Sequence, residues 1–471
     1  MRRRVFNPGR PFLALVTAAV LLSIPVSYPQ EKRQLDPVES RPSQGATLLP
    51  RPKGAVLRAE VDEAGMRALV EKLVACGTRN TLSSWTDPVR GVGCGRDAVE
   101  ERLNDIAKSS GGKLQVVVDK FEATSPRTSN KPAHLENVYG ILPGSDPALS
   151  KALVIVSGHF DSRASDVMNP DLDAPGADDD SSGVAVSMEC ARLLSRAGSG
   201  THGPYRATLL FAAVSGEEQG LLGSTHMLQW TKEQGYTVAA MLDDDIVGAD
   251  YAPGGPHRVR LFSGSEFDDE AGAPSRELAR AIEEIDGSDA IRMIFFIDRL
   301  GRGGDHYPFY KAGLPAVRFT EPLENYTHQH QTVRMENGIE YGDKLKYLSY
   351  KFMGNVARDN AEALRQLALA PAPPTDAVLS GGITPDAKIK ITENDDADRA
   401  GFEILWRETT SPRWQVYSFT EAPEEVVLKA VSTDNHFFGV RSVGKNGARS
   451  IAVPAHSEQR LPPVAVPAAP K

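Results

Sequence analysis

Five motifs rich in Asp, Glu or His constrain this 471-residue chain most, because each falls where a hydrophobic strand is predicted to end. They read VIVSGHFDS, PGADDDSSG, LLFAAVSGEEQGLLGS, MLDDDIVG and ENYTHQHQ, at 154–162, 175–183, 209–224, 241–248 and 324–331. In an open α/β sheet the carboxyl ends of the strands face one crevice, where ligands bind. The motifs therefore predict that their polar side chains converge in one crevice: His159, Asp161, Asp178 to Asp180, Glu217, Glu218, Asp243 to Asp245, His328 and His330.

So many carboxylates in one place repel one another strongly unless a cation lies between them. Carboxylates together with imidazoles suit zinc or a similar divalent ion. The three cysteines show neither a CxxC pair nor a Cys/His finger spacing, which argues against a structural thiolate site. The sequence therefore predicts a metal site built from histidine and carboxylate ligands.

Composition limits the class of protein. An apolar content of 41% and a charged content of 24% are typical of a soluble globular chain. The net charge of −9 argues against non-specific binding to nucleic acid. The length indicates two domains with tails.

The N-terminus has the pattern of a secretory signal over residues 1–26. Arg2 to Arg4 form a basic cap, and the apolar run Pro11 to Val26 is too short for a comfortable membrane span. An uncleaved anchor is the alternative. We expect a secreted or periplasmic protein, without stable membrane insertion once the signal is removed. Residues 27–54 are rich in Pro, Gln, Ser and charge and are expected to be disordered.

Residues 55–366 alternate between strand and helix patterns, which predicts an α/β domain with a largely parallel sheet and flanking helices. A Pro/Ala-rich linker follows at 367–376. Short alternating segments at 377–455, with Trp406 and Trp414, predict a small all-β sandwich that resembles a fibronectin type III module. Residues 456–471 are expected to be a disordered tail, and a chain that ends near Ala370 is expected to remain folded.

Cys76 and Cys94 flank a polar loop in a chain that we expect to be exported. A disulfide between them is plausible, and two buried thiols are the alternative. Cys190 lies in a helical apolar pattern and is expected in the core.

Each motif has a metal-binding or catalytic interpretation and an ordinary structural alternative. His159 and Asp161 share one side of a strand end, so that Asp161 can orient a ligating imidazole; a surface pair is the alternative. One of Glu217 and Glu218 can bind metal while the other reaches the bound water, or both can form an acidic helix start.

The two Asp triplets and the His pair remain open at this level. Asp178 to Asp180 suit either a solvated helix N-cap cluster or a carboxylate that bridges two metals. Asp243 shares its side of the strand with Asp245, so spacing does not choose between them. His328 and His330 likewise share one face of an extended segment, and a lone His is more often structural than a ligand.

Together these segments resemble the M28 family of co-catalytic zinc peptidases, over about 135–365. The likeness is carried by the twenty residues between His159 and Asp179, by SGEEQGLLGS, and by GGDHYPF at 303–309. The resemblance implies that Asp179 bridges two zinc ions and is followed by Asp180 across a cis peptide bond. It implies that Glu217 is the general base and that Glu218 and Asp245 are ligands.

The resemblance implies one zinc on His159, Asp179 and Asp245, and a second on Asp179, Glu218 and a C-terminal histidine. This chain departs from the family at that last ligand, where it reads ENYTHQHQT. We predict His330 as the ligand and keep His328 as the alternative.

The resemblance implies a secreted di-zinc exopeptidase with a peptide or protein substrate, most commonly an aminopeptidase. A glutaminyl cyclase or a carboxypeptidase-like relative of the same fold is one alternative, although cyclases work with one zinc. A non-catalytic binding protein is the other.

Overall fold

The computed structural model describes residues 60–196, 205–251, 258–264, 273–380, 384–422 and 425–457. The predicted signal at 1–26, the predicted disordered segment at 27–54 and the tail beyond 457 lie outside these residues.

An eight-stranded sheet in the order β1-β2-β4-β3-β5-β8-β6-β7 forms the centre of the first domain. Its strands are β1 Gln115–Ala123, β2 Ala133–Leu142, β3 Ala152–His159, β4 Thr208–Val214, β5 Thr237–Asp244, β6 Val259–Phe262, β7 Ile291–Ile294 and β8 Ala316–Thr320. Strand β3 pairs in parallel with β4 and β5, and β5 pairs in parallel with β8. The edges are mixed, because β1, β2 and β4 pair antiparallel and β6 pairs antiparallel with β8.

Helices cover both faces of this sheet. They are α1 Glu63–Ala75, α2 Val92–Ser109, α3 Ser181–Ser195, α4 Leu222–Glu233, α5 Ala273–Asp286, α6 Tyr307–Lys311 and α7 Tyr350–Leu369. Helices α1, α2, α3, α5 and α7 share one apolar cluster with Val154 and Val156, and α4 and α6 share the other with Leu153 and Ile155. A strand buried on both faces reads as a continuous apolar run, which is why LVIV is unbroken. The predicted α/β fold class is confirmed.

Helix α3 begins directly against the strand ends that carry the acidic motifs. A Cβ on Gly183 would lie 1.9 Å from the backbone oxygen of Asp244, and a Cβ on Gly158 would lie 2.4 Å from the carbonyl carbon of Gly183. Only glycine permits this close approach, so the PGADDDSSG segment lies against β3 and β5.

The second domain contains two four-stranded sheets, β15-β12-β11-β18 and β14-β13-β16-β17. Its strands are β11 Asp376–Ser380, β12 Ala387–Thr392, β13 Arg399–Glu408, β14 Gln415–Thr420, β15 Val426–Leu428, β16 His436–Gly444, β17 Val453–Pro454 and β18 His456–Ser457; β9 Arg334–Glu336 and β10 Ile339–Tyr341 form a separate hairpin in the first domain. Trp406, Phe402 and Ile404 lie in the core that these two sheets share. The likeness to fibronectin type III stays a prediction.

The boundaries differ in detail from the predicted ones. Helix α7 continues to Leu369, so the first three residues of the predicted linker are helical. Strand β18 pairs with Val378 and Leu379, so the sheet extends two residues into the predicted tail.

Cys76 and Cys94 form a disulfide, which closes the polar loop between α1 and α2. Cys190 is a buried free thiol in α3, as expected for a core residue. Among the helices of the described ranges, none has the length and apolar character needed to cross a membrane.

Candidate metal centre

Five side chains from five separate segments meet at the carboxyl end of the central strands. His159 ends β3, Asp179 precedes α3, Glu218 follows β4, Asp245 follows β5, and His330 lies in the loop after β8. Their donor atoms form two groups, His159–Asp179–Asp245 and Asp179–Glu218–His330, each with all atoms within 4.8 Å of one another. The structure thus brings together the four ligands that the family resemblance implied and His330, the predicted last ligand.

Asp179 belongs to both groups through different oxygens. His159 Nε2 lies 3.2 Å from Asp179 Oδ1, and His330 Nε2 lies 2.9 Å from Asp179 Oδ2. On the outer sides, His159 Nε2 is 3.8 Å from Asp245 Oδ1 and His330 Nε2 is 3.2 Å from Glu218 Oε1. This geometry suits a carboxylate that bridges two cations.

The donor atoms fit a metal better than a hydrogen-bond network. Within the described part of the chain, four of them are buried and make ion-pair contacts without forming a hydrogen bond of normal geometry: His159 Nε2, Asp179 Oδ2, Glu218 Oε1 and Asp245 Oδ1. Buried polar atoms in folded proteins nearly always form hydrogen bonds, so donor atoms that converge without them are typical of a metal site. Imidazole and carboxylate donors are those that zinc accepts.

Asp180 and Asp343 hold the backbone around Asp179 in place. The Asp179–Asp180 peptide bond is cis, as the family resemblance implied. Asp180 caps α3 by accepting the backbone N–H of Gly183 at 2.8 Å. The Oδ2 atom of Asp343 accepts the N–H groups of both Asp178 and Asp179 at 2.8 Å, a role that the sequence did not reveal.

Asp161 lies beside His159, but its carboxylate mainly holds the Glu217–Glu218 backbone. His159 Nδ1 is closer to the backbone oxygen of Asp161, at 3.1 Å, than to its Oδ1, at 3.5 Å. The carboxylate accepts the N–H groups of Glu217 and Glu218 at 3.3 and 3.2 Å. The prediction that the Asp161 side chain orients the imidazole is therefore incomplete, because the chain turns after β3 and brings the backbone carbonyl closer.

Glu217 and Glu218 have different surroundings, as expected for adjacent residues at a strand end. Glu218 belongs to the second donor group, whereas Glu217 belongs to neither. Burial, together with the nearby carboxylates of Glu218 and Asp245, raises the pKa of Glu217. A carboxyl group whose pKa is raised suits proton transfer.

The remaining aspartates of the two triplets support local structure. Asp178 Oδ1 accepts the N–H of Gly248 at 2.7 Å. Asp243 Oδ2 accepts the N–H of His306 at 3.1 Å, and Asp244 Oδ1 accepts from Asn360 Nδ2 at 3.0 Å. Of the six triplet residues, Asp179 and Asp245 belong to the donor groups.

The prediction that His328 and His330 share one face of an extended segment was wrong. The segment is a turn, in which the N–H of His328 bonds the oxygen of Asn325 and His330 has φ of 56°. His328 Nδ1 lies 2.9 Å from the hydroxyl of Tyr251, and its ring stacks on Tyr347 at 3.6 Å. The turn directs only His330 to the donor groups.

The two imidazoles also differ in their electrostatics. Burial lowers the pKa of His328. Burial has the same tendency at His330, but the carboxylates of Glu218 and Asp179 outweigh it and raise its pKa to about 10. His330 therefore lies where positive charge is stabilised.

Two buried arginines were missed by sequence reasoning. Arg79 donates to the backbone oxygens of Phe160 and Gly176 at 2.6 and 2.9 Å, which ties the disulfide-closed loop to the ends of two motif segments. Arg318 Nη2 lies 2.9 Å from Asp245 Oδ1. A signal existed for Arg318, since it interrupts the apolar strand LPAVRFTEP, whereas nothing in the sequence distinguished Arg79.

Comparisons with known proteins show the family to which this chain belongs. Residues 137–352 match peptidase family M28. A probable zinc metalloprotease of Pyrenophora tritici-repentis is 37% identical over 437 residues, covering 87% of this chain and 88% of that protein. A probable zinc metalloprotease of Pyricularia oryzae is 39% identical over 424 residues, covering 83% of this chain and 82% of that protein. The chain belongs to peptidase family M28 and is a zinc metallopeptidase.

Solved structures share the fold. The LapA aminopeptidase of Legionella pneumophila superposes with a TM-score of 0.50 at 18% identity, covering 67% of this chain and 72% of that one. LapB of the same organism gives a TM-score of 0.51 at 18% identity, covering 69% and 78%. At this identity the likeness concerns the fold alone.

Proposed function

We propose that this metallopeptidase is an exported aminopeptidase that uses two zinc ions to remove N-terminal residues from peptides. The observation that carries the proposal is the pair of donor groups that share Asp179, with Glu217 beside them and outside both. A one-zinc glutaminyl cyclase would leave one of these groups without a metal.

His159, Asp179 and Asp245 would hold one zinc, and Asp179, Glu218 and His330 would hold the other. Zinc bound there would supply Lewis acidity, which lowers the pKa of a water molecule and polarises the scissile carbonyl. Glu217 takes the proton of the attacking water and passes it to the leaving amine. Asp161 fixes the position of Glu217 through its backbone N–H.

Export is supported by two features at the N-terminal side. The basic residues Arg2 to Arg4 precede the apolar run Pro11 to Val26. The disulfide between Cys76 and Cys94 is a bond that persists in oxidising compartments.

Elemental analysis of the purified protein is expected to give two zinc ions per chain. Dialysis against a chelator should abolish the release of nitroaniline from Leu-p-nitroanilide, and added zinc should restore it, because the proposed reaction requires the metal that these donor atoms would hold. N-acetyl-Leu-p-nitroanilide is the matched control and should not be cleaved. Full activity in excess chelator would contradict the metal assignment, and equal cleavage of the acetylated substrate would contradict aminopeptidase action.

Replacing His330 with alanine is expected to remove the second zinc ion and the activity. Loss of a direct ligand should weaken zinc binding by more than the roughly 10- to 100-fold cost of changing a supporting residue. His328→Ala, two positions away in the same turn, is the matched control and should keep both ions. Zinc titration by calorimetry measures the stoichiometry. The opposite result, with one ion lost only in His328→Ala, would transfer the ligand assignment to His328.

A further inference from the structure

Three arginines converge on the single carboxylate of Glu324, close to the proposed zinc centre. Arg260 Nη2 contacts Oε1 at 2.7 Å, and Arg299 Nη1 and Arg302 Nη1 contact Oε2 at 2.7 and 2.8 Å. Arg299, the amide of Gln329, Arg318 and Arg260 hold the pKa of Glu324, despite its burial, down at about 2. The three arginines form an arginine wall that shares this one carboxylate.

The arginine wall is connected to both donor groups. Gln329, next to His330, donates to Glu324 Oε2 at 2.8 Å. On the other side, Arg318 contacts Asp245 Oδ1 at 2.9 Å and donates to the backbone oxygen of Gly303 at 2.7 Å. The loop that carries Arg299 and Arg302 is therefore connected to the neighbours of one proposed ligand of each zinc ion.

Two of the neighbouring arginines pair with other carboxylates. Arg318 also pairs with Asp298 at 3.2 Å, and Asp298 pairs with Arg299 at 2.9 Å. Arg302 shares Glu324 Oε2 with Arg299 and has no other carboxylate partner among the described residues. The charge of Arg302 is therefore only partly compensated.

Of the three arginines in the wall, Arg302 is the most accessible to an anionic group from outside the protein. The side chain of Arg302 is 25% exposed, against 7% for Arg299 and 18% for Arg260. Arg299 uses Nε, Nη1 and Nη2 on Asp298, Glu324 and Gly303. Among the described residues, Arg302 uses only Nη1, so its Nε and Nη2 hydrogens remain available to an acceptor.

The two segments that meet at Glu324 also expose apolar side chains. Leu300 is 100% exposed and Phe296 is 57% exposed in the same loop, and Tyr326 is 65% exposed in the turn that carries His330. Aromatic side chains and arginine are both enriched at binding surfaces.

We propose that Arg302 binds a carboxylate of the peptide substrate and thereby gives this enzyme a preference for anionic substrates. The planar guanidinium matches a carboxylate in a bidentate geometry, which provides orientation as well as attraction. The carboxylate has two sources, an acidic side chain at the N-terminal residue or the free C-terminus of a short peptide. This inference rests on the proposed aminopeptidase function.

The first arm of the test compares Glu-p-nitroanilide with its uncharged isostere Gln-p-nitroanilide, using the full zinc-loaded protein. For an acidic side chain, kcat/KM for Glu is expected to exceed that for Gln by about 10- to 100-fold, as is usual for a charge-assisted pair. In Arg302→Gln the ratio should fall to about 1, because this variant lacks the positive charge, while Arg302→Lys should keep part of it. A ratio taken within one variant cancels any general loss of activity. The exposed Arg292 on β7 gives the matched control, and Arg292→Gln should leave the ratio unchanged.

The second arm compares the dipeptide Leu-Leu with Leu-Leu-amide, which lacks the terminal carboxylate. If the C-terminus is the group bound, this ratio shows the preference and loses it in Arg302→Gln. Ratios near 1 in both arms for the natural protein, or preferences that Arg302→Gln retains, would overturn the inference. If the protein cleaves Leu-p-nitroanilide but gives such ratios, only the role of Arg302 is contradicted. If the two-zinc protein cleaves none of these substrates, the proposed function and this inference are both contradicted.

Discussion

Replacing Glu217 with glutamine is expected to lower kcat by a factor on the order of 10² to 10⁴, the range for lost general-base help. Glu217 belongs to neither donor group, so both zinc ions should remain bound. Glutamine keeps the shape of the side chain, and the N–H contact with Asp161 comes from the backbone and is preserved. Steady-state kinetics with Leu-p-nitroanilide, together with elemental analysis of the same sample, measures both effects.

Glu218→Ala is the adjacent control, because Glu218 belongs to the second donor group. That variant should lose zinc as well as activity. If Glu217→Gln instead lost zinc while Glu218→Ala kept two ions and stayed inactive, the roles of the two glutamates would be reversed.

The central sheet was predictable because strands that are buried on both faces consist of unbroken runs of apolar residues. Val154 and Val156 contact one helical layer while Leu153 and Ile155 contact the other, so an unbroken apolar run was required. The motif that follows such a run must lie at the end of the strand. The positions of the motifs at strand ends thus predicted the crevice and its chemistry, whereas the ligand set itself was implied by the family resemblance.

The alternation of side chains along a strand does not predict where a side chain points beyond the end of that strand. Strand β5 ends at Asp244, and Ile246 has φ of 62°, so backbone geometry beyond the ladder determines how Asp245 points. The same limit applied to His328 and His330, where a turn replaced the expected extended segment. Arg79 and Asp343 act by bonding to segments far away in sequence, which no local pattern encodes.

The two domains are more closely joined than the Pro/Ala-rich linker indicated. Trp414 Nε1 donates to Glu277 Oε2 at 2.6 Å, and Arg280 Nε donates to the oxygen of Pro412 at 2.8 Å. Arg206 Nη2 donates to Asp396 Oδ1 at 2.7 Å. These hydrogen bonds join helix α5 and the start of β4 to the β-sandwich, and Ile451 of the second domain packs against the main core of the first. They argue against the independence predicted from sequence.

Ending the chain at Ala370 is therefore expected to give a strongly destabilised, aggregation-prone protein. The shortened chain cannot form the charge-assisted hydrogen bonds of Arg206, Glu277 and Arg280 to the β-sandwich, and each of these stabilises the fold by roughly 1.5 to 3 kcal/mol. Their sum is a large part of the total stability of about 5 to 15 kcal/mol that folded proteins have. Removal of Ile451 also exposes apolar surface of the first domain. Solubility, thermal unfolding and zinc content measure the outcome.

A chain that ends at Ser457 is the matched control, since it keeps the whole described β-sandwich and should remain soluble and active. A soluble, zinc-loaded and fully active protein ending at Ala370 would restore the interpretation of two independent domains.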